Sequence, residues 1–183
     1  VPHAAENVMA WIHGNDRAVL NAAAAFDEVI DSRIPRLSLV DYRGREISDA
    51  LMTSEALGER LFGHRIDTNG GILAEGAVLN SKCIGADEWR LDGKYLPTDD
   101  DPVARYWFGY GVTVTAVFAL RRALNKAGFK HHSIMVTSGF SDPMKVEAFS
   151  QAEALLAEHL DGTCLYDGIG AGDGCDRAAG DGP

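Results

Sequence analysis

The stretch Ser133-Ile-Met-Val136 is a short apolar run that opens into the polar turn Thr137-Ser-Gly-Phe-Ser-Asp142, and Pro143 to His159 then reads as a helix. A compact apolar run that hands over to a glycine-bearing turn and a helix is the signature of a strand in a parallel α/β sheet. The same unit recurs on either side. Upstream, Val112 to Ala127 has the strongest helical pattern in the chain, apolar at Val114, Val117, Phe118 and Leu120. It is basic at Arg121, Arg122 and Lys126 near its C-terminal end, where the helix dipole favours cations, and it stops at Gly128. Downstream, Thr163-Cys-Leu-Tyr166 predicts a further strand that ends in Asp167-Gly-Ile-Gly170.

Further from that centre, Glu46 to Phe62 has helical periodicity and closes at Gly63, and His64-Arg-Ile-Asp67 predicts a strand running into Thr-Asn-Gly-Gly71. Pro35 to Val40 predicts the first strand, ending on Asp41. Asn7 to Ile30 reads as helix, with Gly14-Asn-Asp16 as a possible break and Asp16 as a cap. Residues 76–110 are irregular, and Thr98-Asp-Asp-Asp101 before Pro102 predicts an exposed loop or short cap. Alternating strands and helices imply a parallel sheet, doubly wound or closed as a barrel. Four strands make half of an eight-stranded barrel, which typically takes about 250 residues, so the expected fold is α/β, a partial (β/α) barrel over residues 1–170 with part of the barrel lying upstream. Val1-Pro-His3 resembles neither an initiator nor a signal peptide and reads as an interior cut. Residues 171–183, rich in Gly, Asp and Ala, show no apolar periodicity and predict a flexible tail.

Composition narrows the function classes. The 183 residues are 46% apolar and 24% charged, as in globular proteins that bury one core, and the net charge of −10 argues against bulk attraction to nucleic acid or anionic lipid. No run approaches the roughly 20 apolar residues of a membrane span. The three cysteines, Cys83, Cys164 and Cys175, lack metal-ligand spacing, and their odd number suits a reducing, cytosolic compartment.

Each expected strand ends in a polar or glycine cluster: Asp41-Tyr-Arg, Asp67-Thr-Asn-Gly-Gly, Thr137-Ser-Gly and Asp167-Gly-Ile-Gly. Ligands of parallel α/β folds bind at that edge, although Gly and Asp also simply begin loops. Ser138 and Gly139, just before a helix, suit a phosphate cradle of free amides, and Gly168 and Gly170 can supply a second set. Arg65 and Asp67 leave the same face of their strand. There they can meet a carboxylate and paired sugar hydroxyls on one ligand, or form an internal ion pair. His3 is a candidate acid, base or phosphate acceptor, with a structural or solvated role as the bland alternative; His13, His64 and the exposed-looking pair His131-His132 read as structural or solvated.

Taken together, these clusters resemble the nicotinate phosphoribosyltransferase family. The matching pieces are Val1-Pro-His-Ala4, Leu39-Val-Asp41, Arg65-Ile-Asp67-Thr-Asn-Gly-Gly71, the helix Ala119 to Phe129 followed by Ile134-Met-Val-Thr-Ser-Gly-Phe140, and Tyr166-Asp-Gly-Ile-Gly170. The resemblance implies an incomplete eight-stranded barrel, a homodimer, and displacement of pyrophosphate from phosphoribosyl pyrophosphate by nicotinate, with Mg²⁺ and, in some members, ATP. It implies that Arg65 meets the pyridine or its carboxylate and that Asp67 meets the ribose hydroxyls. Ser138, Gly139, Gly168 and Gly170 would hold the 5′-phosphate, Asp41 would orient ligand or metal, and His3 would take phosphate from ATP. Val1-Pro and Ala10-Trp11 are also similar to nicotinamide-using relatives. A quinolinate-using relative would call for more Arg and Lys at the mouth. From a different class, a non-catalytic remnant that binds a phosphorylated nucleotide fits the same residues. After Gly170 the chain departs from the family pattern, running into Ala171-Gly-Asp-Gly-Cys175.

Overall fold

Four parallel strands hold the protein together. The computed structural model describes residues 3–83 and 96–170; residues 84–95 of the irregular stretch and the expected tail at 171–183 lie outside the described residues. The chain runs α1 (Ala4–His13), α2 (Ala18–Val29), β1 (Leu37–Leu39), α3 (Glu46–Leu57) and β2 (Gly63–Ile66). It continues with α4 (Ala104–Trp107), α5 (Val114–Lys126), β3 (Ser133–Val136), α6 (Pro143–Leu156) and β4 (Gly168–Ile169). The sheet order is β1-β2-β3-β4, every neighbour pair parallel, so the expected α/β half-barrel arrangement is the one observed.

Register assigns the two faces of the sheet. Ser38, His64 and Ile134 lie side by side, as do Ile66, Val136 and Ile169. Ser38, His64, Ile134, Ile66 and Val136 are buried, and the apolar ones join a core built from Ala50 of α3, Val117, Leu120 and Leu124 of α5, and Ala148, Phe149 and Ala152 of α6. The alternate row, Leu39, Arg65 and Met135, is only half-buried. The helices therefore cover one face, as right-handed strand-helix-strand crossovers require. Among the described residues no helix is long and apolar enough to cross a membrane.

Four local expectations are corrected. The helix expected to run to Phe62 stops at Leu57, where Gly58 takes φ +53. Gly63 is then the first residue of β2, not a helix terminator, because an added Cβ there would stand 2.1 Å from the Ser133 carbonyl oxygen. The break after α1 falls at Gly14 as anticipated, but Asp16 lies inside a short 3₁₀ turn, Asn15–Arg17, and makes no cap. The last strand is Gly168–Ile169 instead of Thr163–Tyr166. The Leu165 amide is taken at 2.9 Å by the Glu153 carboxylate of α6, and contact with β3 begins only at Asp167, whose amide and side chain bracket Ile134. Thr98 to Asp101 is exposed, as expected of a loop.

His132 is buried, contrary to its expected exposure, and it ends a polar chain that threads the core. Its Nε2 lies 3.3 Å from the Gly58 carbonyl, which can only accept, so Nε2 carries the proton and Nδ1 must accept from Ser54 Oγ at 3.0 Å. Ser54 Oγ in turn accepts from His64 Nε2 at 2.9 Å, and Ser38 Oγ donates to His64 Nδ1 at 2.7 Å. Both imidazoles are thereby held neutral in one tautomer. Burial, reinforced by His132, pushes the His64 pKa down from 6.5 to about 3.

Two measurements check this architecture. Gly63→Ala should cost ~3 kcal/mol or more in urea denaturation, since backbone must move. Gly168→Ala, whose Cβ meets the flexible end of Met135 at 2.6 Å, should cost about 1 kcal/mol. For His64, the unfolded chain binds a proton near pH 6.5 and the folded chain does not until about pH 3, so stability present above pH 6.5 is lost as pH falls through that window. Asp49, raised to about 6 by burial, acts oppositely, gaining stability as pH falls. Urea midpoints from pH 7 to 4.5 should therefore fall more steeply in the wild type than in His64→Gln, with a difference of up to ~1.4 kcal/mol per pH unit.

Candidate functional site

The C-terminal ends of the strands converge on one mouth. Val40 and Asp41 follow β1, Asp67 and Thr68 follow β2, Thr137 and Ser138 follow β3, and Gly170 follows β4. His3, in left-handed backbone at φ +58 just before α1, places Nε2 3.2 Å from Asp41 Oδ2. Nδ1 of the same ring is buried, without a hydrogen-bond partner and 3.8 Å from Glu6 Oε2, so the imidazole lies between two carboxylates. Asp41 Oδ1 is likewise buried and unpartnered. Burial pushes the Asp41 carboxyl above the ordinary range, the neighbouring His3 opposes that, and the Asp67 and Glu46 carboxylates push it further up.

Arg65 and Asp67 share a face and meet directly, Arg65 Nη2 to Asp67 Oδ2 at 2.8 Å. The pair is more than a third exposed on each side, so it is reachable by a ligand, and Arg65 Nε has no partner. Three unpartnered polar atoms thus belong to mouth residues, where a ligand's oxygens and nitrogens would satisfy them.

Ser138 has φ +73, rare for a residue with a side chain and costing about 1–3 kcal/mol, and Gly139 follows at φ +71. The largely buried Lys145 fixes this turn, its Nζ donating to the Ser138 carbonyl at 2.7 Å while lying 4.5 Å from the centre of the Phe140 ring. Among the described residues, the amides of Gly139, Phe140 and Ser141 donate to no acceptor. The α6 N-terminus itself is closed by Asp142, whose Oδ1 accepts from Met144 N at 2.9 Å. The amide cradle is therefore the turn and not the helix end.

The second glycine cluster is placed differently. Asp167 turns its carboxylate inward, accepting from Arg121 Nη2 at 2.8 Å and from Ile134 N at 2.7 Å. An added Cβ on Gly168 would meet Met135 and one on Gly170 would meet Thr137 Cγ2, each at 2.6 Å, so both glycines admit the neighbouring strand. Neither lines the cleft beside Ser138.

That cleft is about 630 Å³; two of its walls come from expected strand-end clusters and the third does not. One wall is Thr68 to Gly71 after β2, another is Ser138, Gly139 and Lys145, and the third is Arg105, Tyr106 and Tyr110, carried by the irregular stretch. The stretch leaves β2 and returns to it through a bridge between Leu73 and Gly111 and a bond from Gly111 N to Ile72 O of 2.7 Å. Tyr106 Oη donates to Asp142 Oδ2 in a short bond, and Arg105 Nη2 stands 3.4 Å from the same oxygen. These contacts hold the Asp142 carboxyl below the usual carboxylate range, the Tyr106 hydroxyl contributing most. The only sequence signals for this wall are Gly109 and Gly111, both at positive φ before α5.

The described residues form a parallel α/β fold whose strand ends share one mouth, and that fold has a counterpart among solved structures. One solved structure it is similar to is that of nicotinate-nucleotide pyrophosphorylase from Pyrococcus furiosus, with 23% sequence identity and a TM-score of 0.53, over 94% of this chain and 29% of the other. The chain thus spans less than a third of that protein's length. No family model and no curated protein matches the sequence.

The Asp41 environment is directly testable. In a carboxyl-carbon NMR titration, His3→Ala should move the Asp41 midpoint further up, because the opposing charge is gone, and Asp67→Asn should move it down.

Proposed function

We propose that the chain is the strand-end portion of a phosphoribosyltransferase that joins nicotinate to the ribose of phosphoribosyl pyrophosphate, forming nicotinate mononucleotide and pyrophosphate. The observation that carries this reading is the juxtaposition at one mouth of the Arg65–Asp67 pair, the His3–Asp41 pair and the amide turn at Ser138. The structural neighbour's name, which joins a nicotinate nucleotide to pyrophosphate, contains both products of that reaction.

In this reading the Ser138–Ser141 amides take the 5′-phosphate and Asp67 takes the ribose hydroxyls. Arg65, with an unpartnered Nε, takes the nicotinate carboxylate through its planar fork. Gly168 and Gly170 contribute by letting β4 approach β3 rather than as the main phosphate contacts. The transition state gathers positive charge on the ribose, so the Asp67 and Asp41 carboxylates favour it electrostatically while the fixed turn supplies positioning. No proton needs to be removed from the attacking pyridine nitrogen.

Mg²⁺ usually binds through one or two carboxylates plus substrate phosphates. Among the described residues no group of three or more His, Cys, Asp or Glu is placed to hold a metal alone, but the buried, unpartnered Asp41 Oδ1 and the accessible Asp67 suit such shared binding. The ion would neutralise departing pyrophosphate. His3, oriented by Asp41, is the residue to accept phosphate from ATP if synthesis is ATP-coupled.

The test mixes the protein with phosphoribosyl pyrophosphate, Mg²⁺ and either nicotinate or nicotinamide, with and without ATP, and follows mononucleotide formation. Nicotinate-dependent turnover that falls at least ~100-fold in Asp67→Ala, with Arg65→Ala raising the nicotinate KM about tenfold or more, is the expected result. Turnover with nicotinamide alone would replace the substrate, and ligand binding without turnover in the folded chain would favour a binding remnant.

A further inference from the structure

The cleft beside Ser138 is lined mostly by residues to which the functional reading gives no role. The turn contributes only Ser138 and Gly139; the rest comes from the Thr68–Gly71 loop, from Asp142 and Lys145, and from the wall of Arg105, Tyr106 and Tyr110 to Val112. About 630 Å³ is the volume of a site for an organic ligand rather than for one phosphate.

We propose that this cleft is a second-nucleotide subsite. It takes a phosphate and nucleoside joined by a pyrophosphate link to the mononucleotide at the mouth, so that the two sites together bind a dinucleotide. The proposal rests on the functional reading above for its first half. Its second half stands on the cleft's own chemistry.

Charge is the first argument. The cleft lining holds two cations, Arg105 and Lys145, against the single carboxylate of Asp142, which already accepts from Tyr106 and pairs with Arg105 at 3.4 Å. The lining thus carries one more cation than carboxylate, and the second phosphate of a pyrophosphate link would face Arg105.

Shape and surface supply the second argument. Tyr110 lines the cleft while 57% exposed, an aromatic face left uncovered by the protein and suited to stacking on a base. Opposite it, Gly70 has nothing within 4 Å of where a Cβ would stand, so the loop offers bare backbone at close approach. Asn69 stiffens that loop, its Oδ1 accepting from Gly71 N at 2.9 Å. The cleft and the mouth adjoin at Thr68, next to Asp67, and at Ser138, the two places a ligand spanning both would cross.

Calorimetric titration of the protein with nicotinate mononucleotide and with nicotinate adenine dinucleotide tests the idea. The expected result is that the dinucleotide binds about tenfold or more tightly than the mononucleotide, the size of one stacked base with a charge-assisted contact. Tyr110→Ala and Arg105→Ala should remove that difference while leaving mononucleotide affinity within about twofold, and Tyr110→Phe, which keeps the ring, should preserve it. Both altered side chains are largely exposed, so the folded state tolerates the changes. Equal affinity for the two ligands in the wild type, or equal weakening of both by Tyr110→Ala, would overturn the subsite. Asp67→Ala separates the two readings: it weakens both ligands if the mouth holds the shared ribose, and if it weakens neither, the functional reading fails while the Tyr110 comparison still decides the cleft.

Discussion

One carboxylate organises this sheet. Asp167 accepts from the Ile134 amide at 2.7 Å and from Arg121 at 2.8 Å, and Arg121, almost wholly buried, also donates to the His132 carbonyl at 2.8 Å. A helix, the start of β3 and the approach to β4 are thereby tied at one point. Burial lowers the Arg121 pKa, and the Asp167 charge works against that shift. Removing one partner of such a pair typically costs about 3–5 kcal/mol, because the other is left buried and uncompensated. Gly168 and Gly170, which close on Met135 and Thr137, follow directly on this contact.

The mouth above it is assembled on a different principle. In the core the Ser38–His64–Ser54–His132 series forms one closed polar chain. At the strand ends the chains are left open: His3 Nδ1, Asp41 Oδ1 and Arg65 Nε lack partners. Burying unpaired polar atoms costs about 1–3 kcal/mol each, as does the left-handed Ser138. Arg121 Nε and Asn125 Oδ1 of α5 are unpartnered too, but only the atoms at the strand ends lie where a ligand could satisfy them.

The alternation of strands and helices was legible because it is written locally, in apolar runs, glycine stops and polar strand ends. So was the same-face geometry of Arg65 and Asp67, which follows from the two-residue period of a strand. What was not legible depends on distance along the chain. The His3–Asp41 pair spans 38 positions, and nothing in either neighbourhood signals the other. Asp167 looked like part of a ligand cluster because an Asp before Gly-x-Gly reads as a loop; its inward turn is dictated by Arg121, 46 positions away. Arg121 itself looked like a helix-end cation. The Arg105–Tyr110 wall was hidden because its stretch lacks periodicity, and only the paired glycines before α5 marked its return.

That stretch also has a bearing on how the molecule can change over generations. Its two ends are already fastened together by the Leu73–Gly111 bridge and the Gly111 amide on Ile72. The stretch is not free throughout, because its Ala104, Trp107 and Phe108 are buried in the common core. Arg105 and Tyr110, by contrast, are largely exposed in the cleft wall. With the neck and the buried anchor holding the backbone, those outward side chains can be exchanged over generations without disturbing the half-barrel beneath.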